Sequence, residues 1–246
     1  MQAELLPGER LDDLQTGGYR LIQRPGSFCF GTDAVLLADF AAPRRKDRAA
    51  DLGTGTGVIA LLMAAHQPGL QVDAVELQAD MADMAARSVR LNGLEARICV
   101  HQGDMRQLWK KLGQGSKSLV VCNPPYEREN TGPVSVGESQ RIARHEGGLT
   151  IGEVARSAAQ LLKFGGRFCV IYPARRAFEL MCAMQAVHLQ PKRIRTVHAR
   201  ADRAPKLILI EAIKGAAEGI NWMAPLMLCD ADGSPSAEWR RIYQVK

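Results

Sequence analysis

Apolar and polar residues alternate in blocks along the middle of the chain, and the blocks switch between strand and helix lengths. Ser118-Leu119-Val120-Val121-Cys122 is a short continuous apolar run, as a buried strand should be. Ala49-Ala50-Asp51-Leu52 ends another strand. Gly57 to Ala65 reads as a helix, stopped near Pro68-Gly69. Gln71 to Val75 is a strand ending at Glu76, and Ala79 to Leu91 is a helix closed by Asn92-Gly93. Arg97 to His101 is a third strand, with Gly103-Asp104 after it, and Trp109 to Leu112 sits in a short helical stretch. Beyond a polar loop over 127–149, apolar residues recur at helical spacing over 150–163. Gly165-Gly166 then precede a strand from Arg167 to Tyr172, and Arg175 to Val187 is another helix. Arg193 to His198 and Leu207 to Ile213 are closing strands. Nearer the start, Tyr19 to Gln23 is strand-like, and Ala34 to Phe40 is a helix that Thr32 or Asp33 would cap. Residues 215–246 carry no clear period. Strands and helices alternating at these lengths predict an α/β fold: a mostly parallel, doubly wound sheet with helices on both faces.

Composition narrows the class. Of 246 residues, 46% are hydrophobic and 24% charged, enough for a sizeable core and too apolar for disorder. A net charge of +6 permits a polyanionic partner without demanding one. Six cysteines occur with no C-x-x-C pair, several of them in apolar runs. They read as small core residues in a reducing compartment, not as a zinc site or disulfide frame. MQAELLPGER has no basic region followed by an apolar one, and no apolar run reaches membrane-spanning length. The expectation is a cytoplasmic protein with no membrane partner.

The chemistry concentrates at strand ends. Asn123-Pro124-Pro125-Tyr126 follows the 118–122 strand, where open α/β sheets hold their ligands. The prolines fix φ and keep the residues before them extended, so the turn is stiff. An amide acceptor beside an aromatic face suits a flat amino-bearing group: an adenine, a guanine or a glutamine amide. Asp51-Leu52-Gly53-Thr54-Gly55-Thr56-Gly57 lies between a strand and a helix, and its glycines permit a sharp turn and close ligand approach. Glu76 ends the next strand, where a carboxylate can accept ribose hydroxyls. Asp104 follows the third, where it can accept an adenine amine. The loop lacks the G-x-G-x-x-G spacing that fits a pyrophosphate, and Asp51 would repel phosphate but suit an ammonium. S-adenosylmethionine (SAM) carries an ammonium, a sulfonium, a ribose and an adenine, and no phosphate. The set Asp51, Glu76 and Asp104 matches it.

With the Asn-Pro-Pro-Tyr turn added, residues 20–213 resemble the class I SAM-dependent amino-group methyltransferases. Within that class the chain is most similar to the bacterial family that methylates N6 of adenine 37, beside the anticodon of a valine tRNA. Phe30-Gly31-Thr32-Asp33-Ala34-Val35-Leu36-Leu37, the glycine loop, Ala74-Val75-Glu76, the NPPY turn and Ala143-Arg144-His145-Glu146 carry the resemblance. The resemblance implies a seven-stranded Rossmann-like sheet in a single methyltransferase domain: a cofactor-flanking segment 1–48, a SAM-binding and catalytic core 49–213, and an extension 214–246. It implies a SAM site of Thr32, Asp33, Asp51, Gly53, Thr54, Gly55, Gly57, Glu76, Leu77, Asp104, Met105 and Asn123. Asn123, Pro124 and Tyr126 would be catalytic. The Asn123 side-chain oxygen and the Pro124 carbonyl would accept from the amine while Tyr126 stacks on the base. No metal is needed. Glutamine methyltransferases of release factors share the turn but usually carry a helical N-terminal domain, for which too few residues precede Asp51. They are the alternative enzyme reading, and a catalytically silent RNA-binding relative is the other.

Charge supports the RNA reading. From Lys163 to Lys214 there are eleven Lys/Arg against three acids, an excess larger than that of the whole chain. Lys192, Arg193, Arg195, Arg200 and Arg203 form its densest part, and a basic stripe is what phosphate contact requires. Arg141, Arg144 and His145, in the loop after the turn, are further candidates. The partner expected is the anticodon stem-loop of tRNA.

Overall fold

The computed structural model describes residues 5–24, 31–125 and 148–243. Strands β1 (Arg10–Asp13) and β2 (Arg20–Gln23) form an antiparallel hairpin. The main sheet holds β3 (Arg48–Leu52), β4 (Gln71–Glu76), β5 (Ile98–Gln102), β6 (Lys117–Cys122), β7 (Leu162–Pro173), β8 (Leu189–His198), β9 (Leu207–Lys214), β10 (Asn221–Trp222) and β11 (Leu226–Met227). Its order is β10-β8-β9-β7-β6-β3-β4-β5, with β11 also on β8. Among the described strands of this sheet, only β9 runs against its neighbours. The expected seven strands become nine because the 215–246 tail, which has no readable period, lays two two-residue strands along β8.

Central strands β3 and β6 are buried nearly end to end, as strands covered on both faces must be. Helices α1 (Thr32–Ala41), α2 (Val58–His66) and α3 (Ala79–Leu91) cover one face. Helices α4 (Met105–Leu112), α5 (Ile151–Leu161) and α6 (Ala177–Gln185) cover the other. From Val58 to Ala64 every residue of α2 is buried, so its apolar surface wraps the helix. The α5 start is a capping box: Glu153 N–H donates to Thr150 Oγ1, and Glu153 Oε2 accepts from Thr150 N–H. A short α7 (Ala237–Ile242) closes the described tail and packs on α1.

Some boundaries differ from expectation. Gly31, not Thr32 or Asp33, is the N-cap of α1, with no side-chain cap. Gly165 and Gly166 lie inside β7, which starts at Leu162. The expected 175–187 helix splits into a 3-10 turn, Ala174–Arg176, and α6. Cys122 and Cys169 are buried as expected, but Cys99 and Cys182 are exposed.

The order of strands sets the site. From β3 the chain moves outward through β4 and β5, then returns to place β6 on the other side of β3. The switch point between β3 and β6 opens a crevice at their carboxyl ends.

Candidate active site

Two turns flank that crevice. After β3, Gly53, Gly55 and Gly57 adopt positive φ of 72°, 59° and 93°. The N–H groups of Gly53 and Thr54 both donate to Val75 O at 2.9 Å, folding the loop onto β4. A Cβ at Gly57 would lie 3.3 Å from Ala85 Cβ, so glycine lets α2 start against α3. A Cβ at Gly55 would meet nothing within 4 Å, so that stretch faces open space. Across the crevice, β6 ends at Cys122, in register with Val170 of β7, and Asn123-Pro124-Pro125 continues from it. Pro124 is buried and Asn123 half-buried. Tyr126, Arg141, Arg144 and His145 lie outside the described residues.

Three carboxylates line the loop side, each in a different state. Asp51 is fully buried; its Oδ2 accepts from the Thr54 hydroxyl at 2.6 Å, and its Oδ1 has no partner among the described residues. Burial pushes its carboxyl up to about 7, and the nearby charge of Glu76 adds to the rise against the Thr54 hydrogen bond. Glu76 accepts from the N–H of Gly55 through Oε2 and from that of Gln78 through Oε1, both at 2.9 Å. Each oxygen keeps acceptor capacity for a hydroxyl. Asp104 is the N-cap of α4, accepting from Arg106 N–H at 2.8 Å. The Arg106 guanidinium also grips it and holds its carboxyl below the usual range, while reaching Glu153 at 3.4 Å. Capping is therefore one of the jobs of Asp104, and Arg106, two residues on, is a neighbour that motif reasoning missed.

Leu77 is 61% exposed beside Glu76, and Met105 follows Asp104 at the head of α4. An exposed leucine at a strand end, next to an unmatched buried carboxylate and an open glycine loop, fits a ligand with an apolar ring and a cation. SAM is such a ligand. Thr32 and Asp33 lie in the first turn of α1, where Thr32 lies beside Tyr243 just past α7 and burial raises the Asp33 carboxyl. The tail thus reaches the cofactor-flanking segment, a contact with no signal in the sequence. Among the described residues, Asp73, Cys99 and His101 also hold potential metal-ligand atoms within 4.8 Å of one another. His101 Nε2 lies 2.6 Å from Asp73 Oδ1, and the Lys117 ammonium bonds the other oxygen, so that carboxylate already has two partners.

The basic stretch divides. Arg167 is buried, and Lys214 donates to the carbonyls of Ala159 and Leu162. Lys192 donates to Ala217 O and Glu218 O. Arg193 donates to Phe40 O and lies 4.6 Å over the Phe40 ring. Arg195 clamps Glu238 at 2.6 and 2.9 Å. These five tie strands to helices and tail. Arg200 and Arg203 sit apart, in the loop between β8 and β9, beside Asp202.

The comparisons agree with this geometry. The family model for the methyltransferase small domain matches residues 18–187. The chain belongs to that family. A relative from Cronobacter sakazakii, named tRNA1(Val) (adenine(37)-N6)-methyltransferase, is 33% identical over 184 residues, covering 73% of each chain. The crystal structure of a predicted O-methyltransferase from Agrobacterium tumefaciens superposes with TM-score 0.72 at 24% identity, covering 87% of this chain and 96% of that one. Geranyl diphosphate C-methyltransferase from Streptomyces coelicolor, solved with S-adenosyl-L-homocysteine, shares the fold at TM-score 0.54 and 17% identity, covering 74% and 78%. This family member is a class I SAM-dependent methyltransferase, and SAM is its cofactor.

Proposed function

We propose that the protein methylates the exocyclic N6 of an adenine in tRNA, at position 37 of the anticodon loop of a valine tRNA. The observation that carries this is the Asn123-Pro124-Pro125 turn at the switch point, facing the glycine loop across one crevice. The name of the Cronobacter relative supplies the base and position. A tRNA substrate puts the protein in the cytoplasm. Among the described residues no helix is long and apolar enough to cross a membrane.

The chain's residues bind and position. Asp51 takes the cofactor ammonium, Glu76 the ribose hydroxyls and Asp104 the adenine amine, with Leu77 and Met105 against the ring. Bound SAM supplies an electrophilic methyl group on a sulfonium. The amine of the target adenine is a weak nucleophile, because its lone pair is delocalised into the ring. The Asn123 side-chain oxygen and the Pro124 carbonyl accept its two N–H groups, raise electron density on nitrogen and stabilise the charge developing there. Pro124 and Pro125 keep those acceptors in place, so alignment comes ready-made. Tyr126 stacks on the extruded base. An anticodon-loop base costs less to unstack than a paired one.

The test incubates the protein with labelled SAM and tRNA lacking its native modifications, then resolves the nucleosides by mass. The expected product is N6-methyladenosine at position 37 of the valine tRNA. Asn123→Ala should cut turnover by about 100-fold or more, the scale for removing one transition-state hydrogen-bond partner, with SAM affinity nearly kept. Transfer to a release-factor glutamine and not to tRNA would move the assignment to the protein methyltransferases. Unchanged turnover in Asn123→Ala would remove the role given to that side chain.

A further inference from the structure

Strand polarity splits the basic stretch between the two edges of the sheet. Because β8 runs parallel to β6 and β7, Lys192 and Arg193 near its start lie toward the amino edge, and the loop after His198 lies at the carboxyl edge with the Asn123 turn. Six residues of strand separate Lys192 from His198, roughly 20 Å. On the carboxyl edge the loop meets the 3-10 turn after β7, since Ala174 N–H donates to Lys206 O at 3.0 Å. That turn is the immediate neighbour of the Asn123 turn, because Cys122, the last residue of β6, pairs with Val170, and β7 ends three residues later at Pro173. Arg175, Arg176, Arg200, Arg203 and Lys206 therefore form one strip beside the catalytic turn. Among the described residues, Glu179 and Asp202 pair with them through Arg176–Glu179, Arg200–Asp202 and Arg203–Asp202, and Arg176 also lies 5.1 Å over the Tyr172 ring.

An aromatic ring completes the strip. Phe178 is in the first turn of α6, directly after the 3-10 turn, and is 77% exposed while Leu180 and Met184 of the same helix are buried. A single exposed apolar residue is ordinary on a protein surface. Position distinguishes this one. Phe164 and Trp222, the other strongly exposed aromatics among the described residues, are at the start of β7 and opposite Ile194 of β8, away from the carboxyl edge. Cations tracking a backbone beside a ring that offers a flat face are the chemistry of single-stranded nucleic acid binding.

Resting on the tRNA reading above, we propose that this carboxyl-edge strip holds the RNA strand flanking the methylated adenine, with Phe178 stacking on a neighbouring base. The cations of the strip engage its phosphates. Lys192, Arg193 and Arg195, which the sequence alone puts in the same patch, hold the fold together instead.

The test uses the full chain and the valine tRNA transcript. Phe178→Ala should raise the KM for tRNA about tenfold, within the range for removing one stacked base, with SAM affinity intact. Phe178→Trp should restore the KM. The triple variant Arg200→Ser, Arg203→Ser, Lys206→Ser should lower the slope of log affinity against log salt by about two, since each lost phosphate contact removes roughly 0.7–0.9. A charge-matched triple at the amino edge, Arg44→Ser, Arg45→Ser, Lys46→Ser, should leave that slope where it is. If the wild type methylates tRNA while Phe178→Ala keeps its KM and the carboxyl-edge triple keeps its slope, the strip is not the docking surface and the tRNA reading stands. If the wild type puts no methyl on tRNA, the reading itself falls and takes the docking surface with it.

Discussion

Asp47, just before β3, and Asp51, toward its end, stand four residues apart, roughly 13 Å of extended chain. Both are buried, at 8% and 0% exposure, yet their surroundings are opposite. Asp47 accepts from Arg44 N–H at 2.8 Å, from the Ser118 hydroxyl at 2.7 Å and from the Arg167 guanidinium at 2.8 Å. Arg167 in turn bonds Glu211 at 3.1 Å and Ala41 O at 2.8 Å, so the amino-edge network closes on itself. Asp51 has the Thr54 hydroxyl, and among the described residues its other oxygen has no partner. Burying a carboxylate that is not fully matched is costly, and a fold retains it where a ligand completes the set. One end of the sheet is therefore finished by the chain, and the other is finished by what binds to it.

The amino edge can be broken with one change. Arg167→Met removes the cation but leaves Asp47 and Glu211 buried, the costly half of a disrupted buried pair, at about 3–5 kcal/mol. For a chain of this size that is a melting-temperature drop of about 6–20 °C. Calorimetry on the wild type and the variant measures it. A drop under about 3 °C would mean the network adds little beyond packing.

At the carboxyl edge the unmatched carboxyl should show as a pH dependence. With its folded value raised to about 7, Asp51 is protonated in the ligand-free protein below that pH. Its contribution to ligand-free stability is full below the unfolded carboxylate value near 4 and is lost as the pH rises through about 7. An ammonium placed beside it favours the ionised form. SAM affinity should therefore rise between pH 5.5 and 7, by up to about tenfold per unit, or 1.36 kcal/mol. It should flatten above about 7.5, where an α-amino group itself begins to lose its proton. Titration calorimetry across that range gives the slope, and Asp51→Asn should abolish it. A pH-independent affinity in the wild type would argue that the ammonium binds elsewhere.

What could be read from the chain beforehand follows the same division. The glycine loop, Glu76, Asp104 and the Asn123 turn are local signals: each sits where an apolar run ends, so periodicity alone finds them. The parallel sheet follows from the alternation of those runs. Partners distant in sequence were not legible. Arg167 looks like one more cation in a basic stretch, and only the pairing of β7 with β9 puts it beside Glu211 and turns it inward. Arg200 and Arg193 are neighbours in sequence, but the direction of β8 sends them to opposite ends. The tail strands β10 and β11, at two residues each, are too short to show a period and exist only through pairing with β8. The α1 cap differs from the expected one because Gly31 takes the cap position, so the side chains of Thr32 and Asp33 stay out of the capping role.

Asp104 stands between the two cases, because it faces the crevice yet already has a cation. Arg106 grips it in solvent, with the guanidinium side chain 37% exposed, and reaches across to Glu153 at the head of α5. An exposed pair of this kind contributes about 0.2–1 kcal/mol. The Asp104 cap on α4 does not need it, since that bond runs to the Arg106 backbone N–H and survives any side-chain change. Arg106→Gln should thus lower stability by less than about 1 kcal/mol, near the limit of a denaturant melt. The informative readout is SAM affinity. If Arg106 only occupies a carboxylate that the cofactor adenine amine needs, the variant should bind SAM as tightly as the wild type or a few-fold tighter. A clear loss of affinity would make Arg106 part of the cofactor site, and would put Asp104 with Asp47 among the carboxylates the chain completes by itself.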